Sequence, residues 1–363
     1  MRLLVAGGGT GGHLFPGIAI ADEVARRGGE VRFVGTSRGI ETRAVPAAGY
    51  ALETLAISGL KRVGLWGTLR GLLRVPLAVL RSWLILRRWR PDAVIGVGGY
   101  ASGPLVLAAA LAGYPTAIQE QNSVPGFTNR VLGKLVAAVF IAFEDAARFF
   151  PSDKLARLGN PVRQTIVAAL EGARGPEPVA GRLRILLVGG SQGARAVSEL
   201  VSAAAPLLAA AGVEFSLVHQ TGGADLERLS ERYRTLGLDG RVTTQAFIDD
   251  MAAAYGAADL VIARAGALTL AELAIAGRPA ILVPLPTAAD DHQSKNAARF
   301  AEAGAAVVLD QRQTSPEGLA AIVKELASDR GRRMAMSAAM RSLARPRAAQ
   351  DMVDRLEELA RGR

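Results

Sequence analysis

Short apolar runs alternate with longer segments of helical periodicity along the chain. The runs have the length and the β-branched composition of buried strands. In the first half they lie at 3–6, 31–35, 93–97, 116–119 and 139–143. In the second half they lie at 183–188, 214–218, 241–247, 259–263, 280–284 and 305–309. Helical segments such as Ile18 to Arg27 and Leu105 to Ala112 separate them, which predicts parallel sheets with helices on both faces.

This rhythm breaks once, near the middle of the chain. The break falls at 159–163, and a stretch rich in glycine and proline, 172–181, precedes the second cycle. We therefore predict two doubly wound α/β domains, 1–160 and 161–345. Residues 346–363 are predicted to form a helix that packs back on the N-terminal domain.

The composition excludes several classes of protein. The chain has 363 residues, half of them apolar, which is enough for two domains with separate cores. It contains no cysteine, so neither disulfides nor thiolate zinc sites can form. The histidines, at 13, 219 and 292, belong to no metal-ligand motif, and we expect neither a metal nor a cofactor. The first apolar run is too short for a signal peptide, which predicts a cytoplasmic protein.

The net charge of +10 is concentrated in one stretch. Residues 60–90 contain eight Lys or Arg residues, all three tryptophans and no acid, with leucine and valine between them. Tryptophan favours the headgroup level of a bilayer, and basic side chains attract anionic lipid. We predict a surface that touches an anionic membrane without spanning it, because spanning needs roughly 20 apolar residues. The predicted contact residues are Trp66, Arg70, Arg74, Arg81, Trp83 and Arg88.

Two alternatives remain for this stretch. It can be an ordinary amphipathic helix with a solvated arginine face. RNA binding is weaker, since the stretch lacks Phe and Tyr stacking motifs and the chain contains no recognisable nucleic-acid module. We therefore expect no nucleic-acid partner.

Two glycine turns, about half a chain apart, each follow an apolar strand and precede a helix. The first is 7–12, with His13 directly after it, and the second is 189–193. Backbone N–H groups and the positive helix end point to one spot in such a turn, which favours phosphate. Two such turns predict two nucleotide-binding-type domains that face a shared cleft.

The first turn also satisfies the dinucleotide motif of dehydrogenases, at Gly7, Gly9 and Gly12. That motif needs an acid at the end of the second strand to hold a ribose. The second strand ends at Gly35-Thr36-Ser37-Arg38, without an acid, although Arg38 can accommodate a 2′-phosphate. A dehydrogenase is therefore the weaker interpretation.

The second turn formally satisfies the nucleophile motif of hydrolases, with Ser191 at its centre. Asp259 or Asp290 with His292 would have to complete a triad. A phosphate-binding turn explains Ser191 more simply, as a hydroxyl donor at a helix start.

A later segment carries polar residues suited to a nucleotide sugar. Gly266 follows a strand and opens a predicted helix with Thr269 and Glu272 in its first turns. A carboxylate there can accept two adjacent sugar hydroxyls while the N–H groups meet a diphosphate, or it can merely cap the helix. Gln293 and Asn296 are spaced to share a helix face with their amides toward a sugar.

Taken together, these motifs closely resemble the MurG family of glycosyltransferases. The resemblance spans nearly the whole chain, and its nine groups of residues occur at 7–17, 98–104, 120–122, 159–163, 189–195, 219–220, 247–251, 266–272 and 293–297. It implies the two-domain GT-B fold and transfer of N-acetylglucosamine (GlcNAc) from UDP-GlcNAc to the muramyl 4-hydroxyl of undecaprenyl-diphosphate-linked muramyl pentapeptide (lipid I). The product, lipid II, serves peptidoglycan synthesis. It also implies a peripheral protein on the cytoplasmic face of the plasma membrane, with other cell-wall synthesis proteins as partners.

The resemblance assigns the donor to the C-terminal domain and the lipid acceptor to the N-terminal domain. Ile248 would face uracil, Glu272 would hold the ribose hydroxyls, and Ser191 with the helix start at 267–269 would hold the diphosphate. Gln293 and Asn296 would contact GlcNAc, and the turns at 7–12 and 98–99 would cradle the acceptor diphosphate. The implied substrate-binding residues are Thr10, Gly11, Gly12, Asn122, Arg163, Ser191, Ile248, Ala267, Leu268, Thr269, Leu270, Ala271, Glu272, Gln293 and Asn296. Ala265 stands where the family usually has serine.

The implied reaction inverts the configuration at the anomeric carbon of the transferred sugar. It needs a general base on the acceptor side to take the proton of the attacking hydroxyl. His13 is the preferred candidate because it follows the acceptor turn directly and imidazole titrates near neutral pH. His13 can alternatively donate only to the turn or to a phosphate, and Glu120 is the fallback base. The rival to an enzyme is a membrane-associated scaffold that binds a nucleotide sugar and transfers nothing.

Overall fold

The chain forms two compact units with separate cores. The computed structural model describes residues 1–37, 39–55, 65–99, 101–171, 181–189 and 194–362, and only the backbone for 65–75. The N-terminal unit consists of 1–164 together with 345–363, and the C-terminal unit of 165–344.

Strands and helices alternate through both units. The strands are β1 (Arg2–Ala6), β2 (Glu30–Thr36), β3 (Ala51–Leu55), β4 (Ala93–Gly96), β5 (Thr116–Glu120), β6 (Ala138–Ile141), β7 (Leu155–Arg157), β8 (Leu183–Val188), β9 (Phe215–Gln220), β10 (Val242–Gln245), β11 (Leu260–Ala263), β12 (Ala280–Leu282) and β13 (Ala306–Val308). The helices are α1 (Gly11–Arg26), α2 (Glu41–Ala47), α3 (Leu65–Trp89), α4 (Ser102–Leu111), α5 (Phe127–Leu132), α6 (Gln164–Leu170), α7 (Arg195–Ala210), α8 (Leu226–Thr235), α9 (Met251–Ala257), α10 (Ala267–Ala276), α11 (His292–Glu302), α12 (Pro316–Ser328), α13 (Arg330–Ser342) and α14 (Ala348–Arg361).

Each unit is built on one parallel sheet. In the described residues the N-terminal sheet has the strand order β3-β2-β1-β4-β5-β6-β7, and the C-terminal sheet has the order β10-β9-β8-β11-β12-β13. The order reverses direction beside β1 in the first sheet and beside β8 in the second. Ligands of doubly wound sheets bind at the carboxyl ends of the strands at such a reversal. Both predicted glycine turns follow these two strands.

The prediction of two doubly wound α/β domains is confirmed. Sequence analysis missed β3 and β7, which are the two edge strands of the N-terminal sheet. Most of their positions are exposed or half-buried, so neither strand forms a continuous apolar run. Strands of parallel sheets are recognised by such runs only where both faces are covered.

Helices cover both faces of the N-terminal sheet. On one face, Leu3 and Val5 of β1 share a core with α1 and with Met352 and Leu356 of α14. On the other face, α3 and α4 provide the apolar side chains. The C-terminal segment is thereby part of the N-terminal core, although about 180 residues of the other unit separate the two in sequence.

We predict that Leu356→Ala lowers the stability of the N-terminal unit. Leu356 is fully buried, and truncation of a buried leucine costs about 2–5 kcal/mol through lost burial and a cavity. Differential scanning calorimetry should show a lower unfolding midpoint. Glu358→Ala, two residues further at an exposed position of the same helix, is the control. Equal midpoints for the two variants would contradict the packing of α14.

Candidate functional site

The first glycine turn ends in a helix start that no side chain caps. Helix α1 begins at Gly11 after an extended Thr10, whose hydroxyl makes no capping hydrogen bond. The Thr10 Oγ1 atom instead lies 3.2 Å from His13 Nδ1. Backbone N–H groups at an uncapped helix start are suited to an anion, because they carry the positive end of the helix dipole.

A further glycine turn in the N-terminal unit, at Gly98 and Gly99, packs directly against the turn at 7–12. Both glycines have positive φ, and a Cβ atom on Gly99 would lie 2.3 Å from the Gly8 carbonyl oxygen. Ser102 Oγ accepts the Gly98 N–H at 3.1 Å and lies 2.7 Å from the Ala6 carbonyl oxygen. The two turns therefore form one backbone structure at the carboxyl ends of β1 and β4.

His13 lies between these two turns. A Cβ atom on Gly98 would lie 2.6 Å from the Cδ2 atom of the His13 ring, so only glycine leaves room for the imidazole. The contact between Nδ1 and Thr10 orients the ring from the other side. The structure thus brings together His13, Thr10 and the turns at 7–12 and 98–99. These are the residues that the sequence analysis assigned to the acceptor side.

A buried carboxylate that sequence analysis missed lies beneath the first turn. Glu41, the first residue of α2, is fully buried, and its Oε2 accepts the Gly9 N–H at 2.8 Å. Its Oε1 accepts the Thr36 N–H at 2.8 Å and the Thr36 hydroxyl at 2.7 Å. Burial acts to raise the pKa of Glu41, but the hydrogen bonds from Gly9 and Thr36 hold that pKa below its usual value.

Glu41 also bears on the dehydrogenase alternative. It lies just beyond the end of β2, near the position where dinucleotide enzymes hold a ribose. Its carboxylate faces the protein backbone and is fully buried, so it is not available to a ribose hydroxyl. The sequence analysis searched for an acid at the end of the second strand and missed Glu41, because Glu41 follows Thr36 by five residues.

Glu120 orders the loop that follows β5. It is 2% exposed, and it accepts the N–H groups of Asn122 at 3.0 Å and Gly126 at 3.3 Å and the side-chain amide of Asn129 at 2.9 Å. Burial raises the pKa of Glu120 against the opposing effect of these hydrogen bonds. A carboxylate with this set of donors is suited to fixing the position of Asn122.

Buried amides and an arginine complete this edge of the N-terminal unit. The Gln119 side chain donates to Asn160 at 2.8 Å, and Asn160 donates to the Gln121 carbonyl oxygen at 3.1 Å. These bonds fix the segment that leads to Arg163. The Arg163 guanidinium stacks over the Phe15 ring of α1, with 5.4 Å between its Cζ and the ring centroid. A positive charge therefore lies beside the helix that carries the first turn.

In the C-terminal unit, the N-cap residue of helix α10 also makes no side-chain cap bond. Gly266 occupies the N-cap position and, having no side chain, cannot itself cap the helix. The helix ends at Gly277 in the left-handed conformation. The predicted diphosphate site at 267–269 is therefore a helix start of the same kind as that of α1.

Glu272 lies on the sixth position of this helix, too far along it to act as a cap. It is 7% exposed, and its Oε2 accepts the Tyr255 hydroxyl at 3.0 Å. The structure thus gives Glu272 a fixed partner on the neighbouring helix α9.

Ile248, the residue predicted to face uracil, is buried in the segment before α9, and the preceding Phe247 is 57% exposed.

Hydrogen bonds join the loops beside α10. Arg264 donates to the carbonyl oxygens of Val283 at 3.0 Å and Pro284 at 3.1 Å, and burial lowers its pKa. Gln293 accepts the Leu285 N–H at 3.0 Å. Asn296 is fully buried and lies with its Nδ2 3.4 Å from the Ala265 carbonyl oxygen. The residues predicted to read the sugar therefore also hold the loops after β11 and β12.

The hydrolase alternative finds no support in the geometry. Ser191 lies outside the described residues, and Asp259 pairs with Arg184 at the amino end of β11, the opposite edge from the glycine turn. His292 contacts the Ala289 carbonyl oxygen, not an acid. His219 is fully buried between Tyr233 and Ser198, and burial lowers its pKa to about 4. In the described ranges, no group of three or more His, Asp or Glu residues is placed to hold a metal.

The described part of α3 exposes an apolar and basic face. Leu77, Leu80 and Leu84 are each about half exposed, and Arg87 stacks over the Trp83 ring at 4.7 Å. Arg81 is exposed beside them. Outside the described side chains lie the predicted contacts Trp66, Arg70 and Arg74.

Two aromatic and basic residues at the end of α3 have structural partners. Arg88 pairs with Glu53 of β3 at 2.6 Å. Trp89 is 3% exposed and carries the Arg2 and Arg32 guanidiniums over its ring. Across the described helices, none is long and apolar enough to cross a membrane.

A cavity of about 690 Å³ lies at the amino edge of the N-terminal sheet. Its lining mixes basic and acidic side chains, including Arg87, Arg90, Asp92 and Glu357. None of the predicted site residues lines it, and those that the structure describes lie near the carboxyl edges of the sheets or on α3.

Family models match both units. The C-terminal domain of glycosyltransferase family 28 matches residues 184–352, and its N-terminal domain matches residues 3–141. Together the two models cover most of the chain.

Named relatives match over nearly the full length. A protein of Anaeromyxobacter dehalogenans (strain 2CP-1 / ATCC BAA-258) is 50% identical over 365 residues, which cover 100% of this chain and 94% of the relative. A protein of Myxococcus xanthus (strain DK1622) is 48% identical, with 98% of this chain and 92% of the relative covered. Both are named UDP-N-acetylglucosamine–N-acetylmuramyl-(pentapeptide) pyrophosphoryl-undecaprenol N-acetylglucosamine transferase. The crystal structure of Acinetobacter baumannii MurG matches with a TM-score of 0.82 and 35% identity, covering 98% of this chain and 99% of the other.

Proposed function

The chain belongs to glycosyltransferase family 28, and on this basis we propose that it transfers GlcNAc from UDP-GlcNAc to the muramyl 4-hydroxyl of lipid I. The observation that carries the proposal is the 50% identity, over the whole chain, to a protein named as this transferase. The proposal assigns the acceptor to the N-terminal unit and the nucleotide sugar to the C-terminal unit.

The geometry supports the acceptor half of this proposal. The start of α1 offers backbone N–H groups to the acceptor diphosphate, and the turn at 98–99 packs against it. Arg163 adds a positive charge beside α1. His13 adjoins both turns, so we assign it the role of general base. Glu120 is the less suitable base, because it is buried and already accepts hydrogen bonds from three residues.

The proposed reaction is a single inverting displacement. His13 takes the proton of the muramyl 4-hydroxyl while that oxygen forms a bond to the anomeric carbon of GlcNAc. The bond from that carbon to the β-phosphate oxygen breaks, and UDP leaves with the electron pair. The start of α10 stabilises the negative charge that develops on the leaving diphosphate, since its N–H dipoles are already oriented. The β-linked disaccharide and UDP are the products.

Transfer and the role of His13 are tested with one assay. Radiolabelled UDP-GlcNAc and a lipid I analogue should give labelled lipid product, whereas UDP-GalNAc should give little. His13→Ala should lower kcat by about 10²–10⁴-fold, the typical contribution of a general base, with unchanged affinity for UDP-GlcNAc. UDP binding by the wild-type chain without any labelled product would favour the non-catalytic scaffold, and full turnover by His13→Ala would remove the base assignment.

For the donor we predict that Glu272→Gln weakens UDP binding. Removing the charge of a carboxylate that accepts two ribose hydroxyls should weaken the binding free energy of UDP by about 1.5–3 kcal/mol. This corresponds to a rise in Kd of roughly tenfold to hundredfold. Isothermal titration calorimetry with UDP and 2′-deoxy-UDP measures this. The wild type should prefer UDP, and Glu272→Gln should lose most of that preference.

The matched control for this variant is Glu302→Gln, an exposed acid on α11 that pairs with Arg299. It should bind both nucleotides as the wild type does. If Glu272→Gln keeps the full preference for UDP over 2′-deoxy-UDP, the carboxylate does not hold the ribose.

We further propose that the exposed face of α3 rests on an anionic membrane surface at the cytoplasmic face of the plasma membrane. Leu77, Leu80 and Leu84 recur at helical spacing on the side opposite the buried residues of α3. Arginines interleaved with such a stripe attract anionic headgroups while the leucines enter the interface. This arrangement disfavours the ordinary amphipathic helix, whose exposed face would be polar throughout.

We predict that the double variant Leu80→Glu/Leu84→Glu loses binding to vesicles of anionic phospholipid. The new charges oppose both insertion of the helix face and attraction to the headgroups. Sedimentation with vesicles measures binding, and transfer to a water-soluble acceptor analogue should stay at the wild-type rate. Leu207→Glu, at an exposed leucine of α7, is the control. Unchanged sedimentation of the double variant would refute the membrane proposal.

A further inference from the structure

We propose that Glu41 is a positioning residue, which sets the first glycine turn so that its later N–H groups can receive the acceptor diphosphate. The inference rests on the proposed function, because it concerns the same turn. Glu41 contacts the turn and not the substrate, so its effect is exerted through Gly9.

The first argument is the fit of the carboxylate into its surroundings. A Cβ atom on Gly8 would lie 2.4 Å from the Glu41 carboxyl carbon, and a Cβ atom on Gly39 would lie within 2.4 Å of the same group. A Cβ atom on Gly35 would lie 2.7 Å from Glu41 Cγ. Three glycines therefore enclose this side chain closely, and their lack of Cβ atoms is what allows the enclosure.

The second argument is the number of hydrogen bonds. The two carboxylate oxygens accept three donors, namely the Gly9 N–H, the Thr36 N–H and the Thr36 hydroxyl. A glutamine has one oxygen and one NH₂ group, so it would turn a donor toward either Gly9 or Thr36. Only a carboxylate satisfies both sides, which joins the end of β2 to the turn after β1.

The third argument concerns which N–H groups remain for a ligand. The bond to Glu41 uses the Gly9 N–H, and Gly9 has φ of +87°. Anion binding by this turn therefore falls to the N–H groups after Gly9, at the start of α1. A negative charge beneath an anion site opposes anion binding, so the position of Glu41 is explained by the geometry that it fixes.

The test compares Glu41→Gln with Glu30→Gln, the same chemical change at the exposed first residue of β2. Steady-state kinetics should show KM for a lipid I analogue raised by about tenfold or more in Glu41→Gln, as expected for loss of a hydrogen bond to a charged group. KM for UDP-GlcNAc should equal that of Glu30→Gln. Hydrogen–deuterium exchange of the peptide that contains residues 8–12 should be faster in Glu41→Gln alone.

Thr36→Val provides a second variant in case Glu41→Gln does not fold. It keeps the shape and the backbone N–H of Thr36 and removes only the hydroxyl donor, so a smaller change in the same direction is expected. A rise in KM for the acceptor alone, with faster exchange at 8–12, supports the proposal. Unchanged acceptor KM and unchanged exchange in a folded variant would overturn it, as would an equal rise in both KM values.

The exchange measurement separates this inference from the proposed function. If the wild-type chain transfers no GlcNAc, the proposed function fails. Faster exchange at 8–12 in Glu41→Gln would then still support the control of the turn by Glu41, and unchanged exchange would reject it.

Discussion

Both candidate sites depend on helix starts whose N-cap residues make no side-chain cap bond. An N-cap side chain contributes about 1 kcal/mol to helix stability. Asp250, Ser315 and Asp329 cap α9, α12 and α13 in this way, whereas the N-cap residues of several other described helices make no such bond. At α1 and α10 the N-cap residues are Thr10, whose hydroxyl makes no cap bond, and Gly266, which has no side chain. Neither N-cap residue therefore competes with an anion for the N–H groups at these two helix starts.

Buried acids fix the loops around these helix starts. Glu41 lies beneath the first turn, Glu120 orders the loop of Asn122, and Glu272 bonds Tyr255 across two helices. Burying a carboxylate is costly unless donors satisfy it, and each of these has such donors. These acids therefore contribute to a site mainly by fixing the positions of the loops that form it. Glu272 differs because the proposed function also gives its carboxylate a ligand.

The basic stretch at 60–90 shows the limits of composition as a guide. Trp83 and Trp89 have sequence neighbours of the same basic and apolar kind, yet their surroundings in the structure differ. Trp89 is a core residue with two arginines over its ring, and Trp83 is exposed beside Arg87. The helical period separates them only once it is known which face of α3 packs on the sheet. The same applies to the edge strands β3 and β7, whose polar positions hide them from a search for apolar runs.

The sequence by itself determined the fold class, the glycine turn at 7–12 and the helix start at Gly266, because apolar runs and glycines act on the backbone within a few residues. It also placed His13 beside the first glycine turn, since the two are adjacent in the chain. Only the tertiary structure decided the contacts of Glu41 with Gly9 and of Ser102 with Ala6, which are 32 and 96 residues apart. Such partners meet because parallel strands lie side by side in an order that is not their order in sequence. Local pattern carries no information about that order, and the packing of the sheets supplies it.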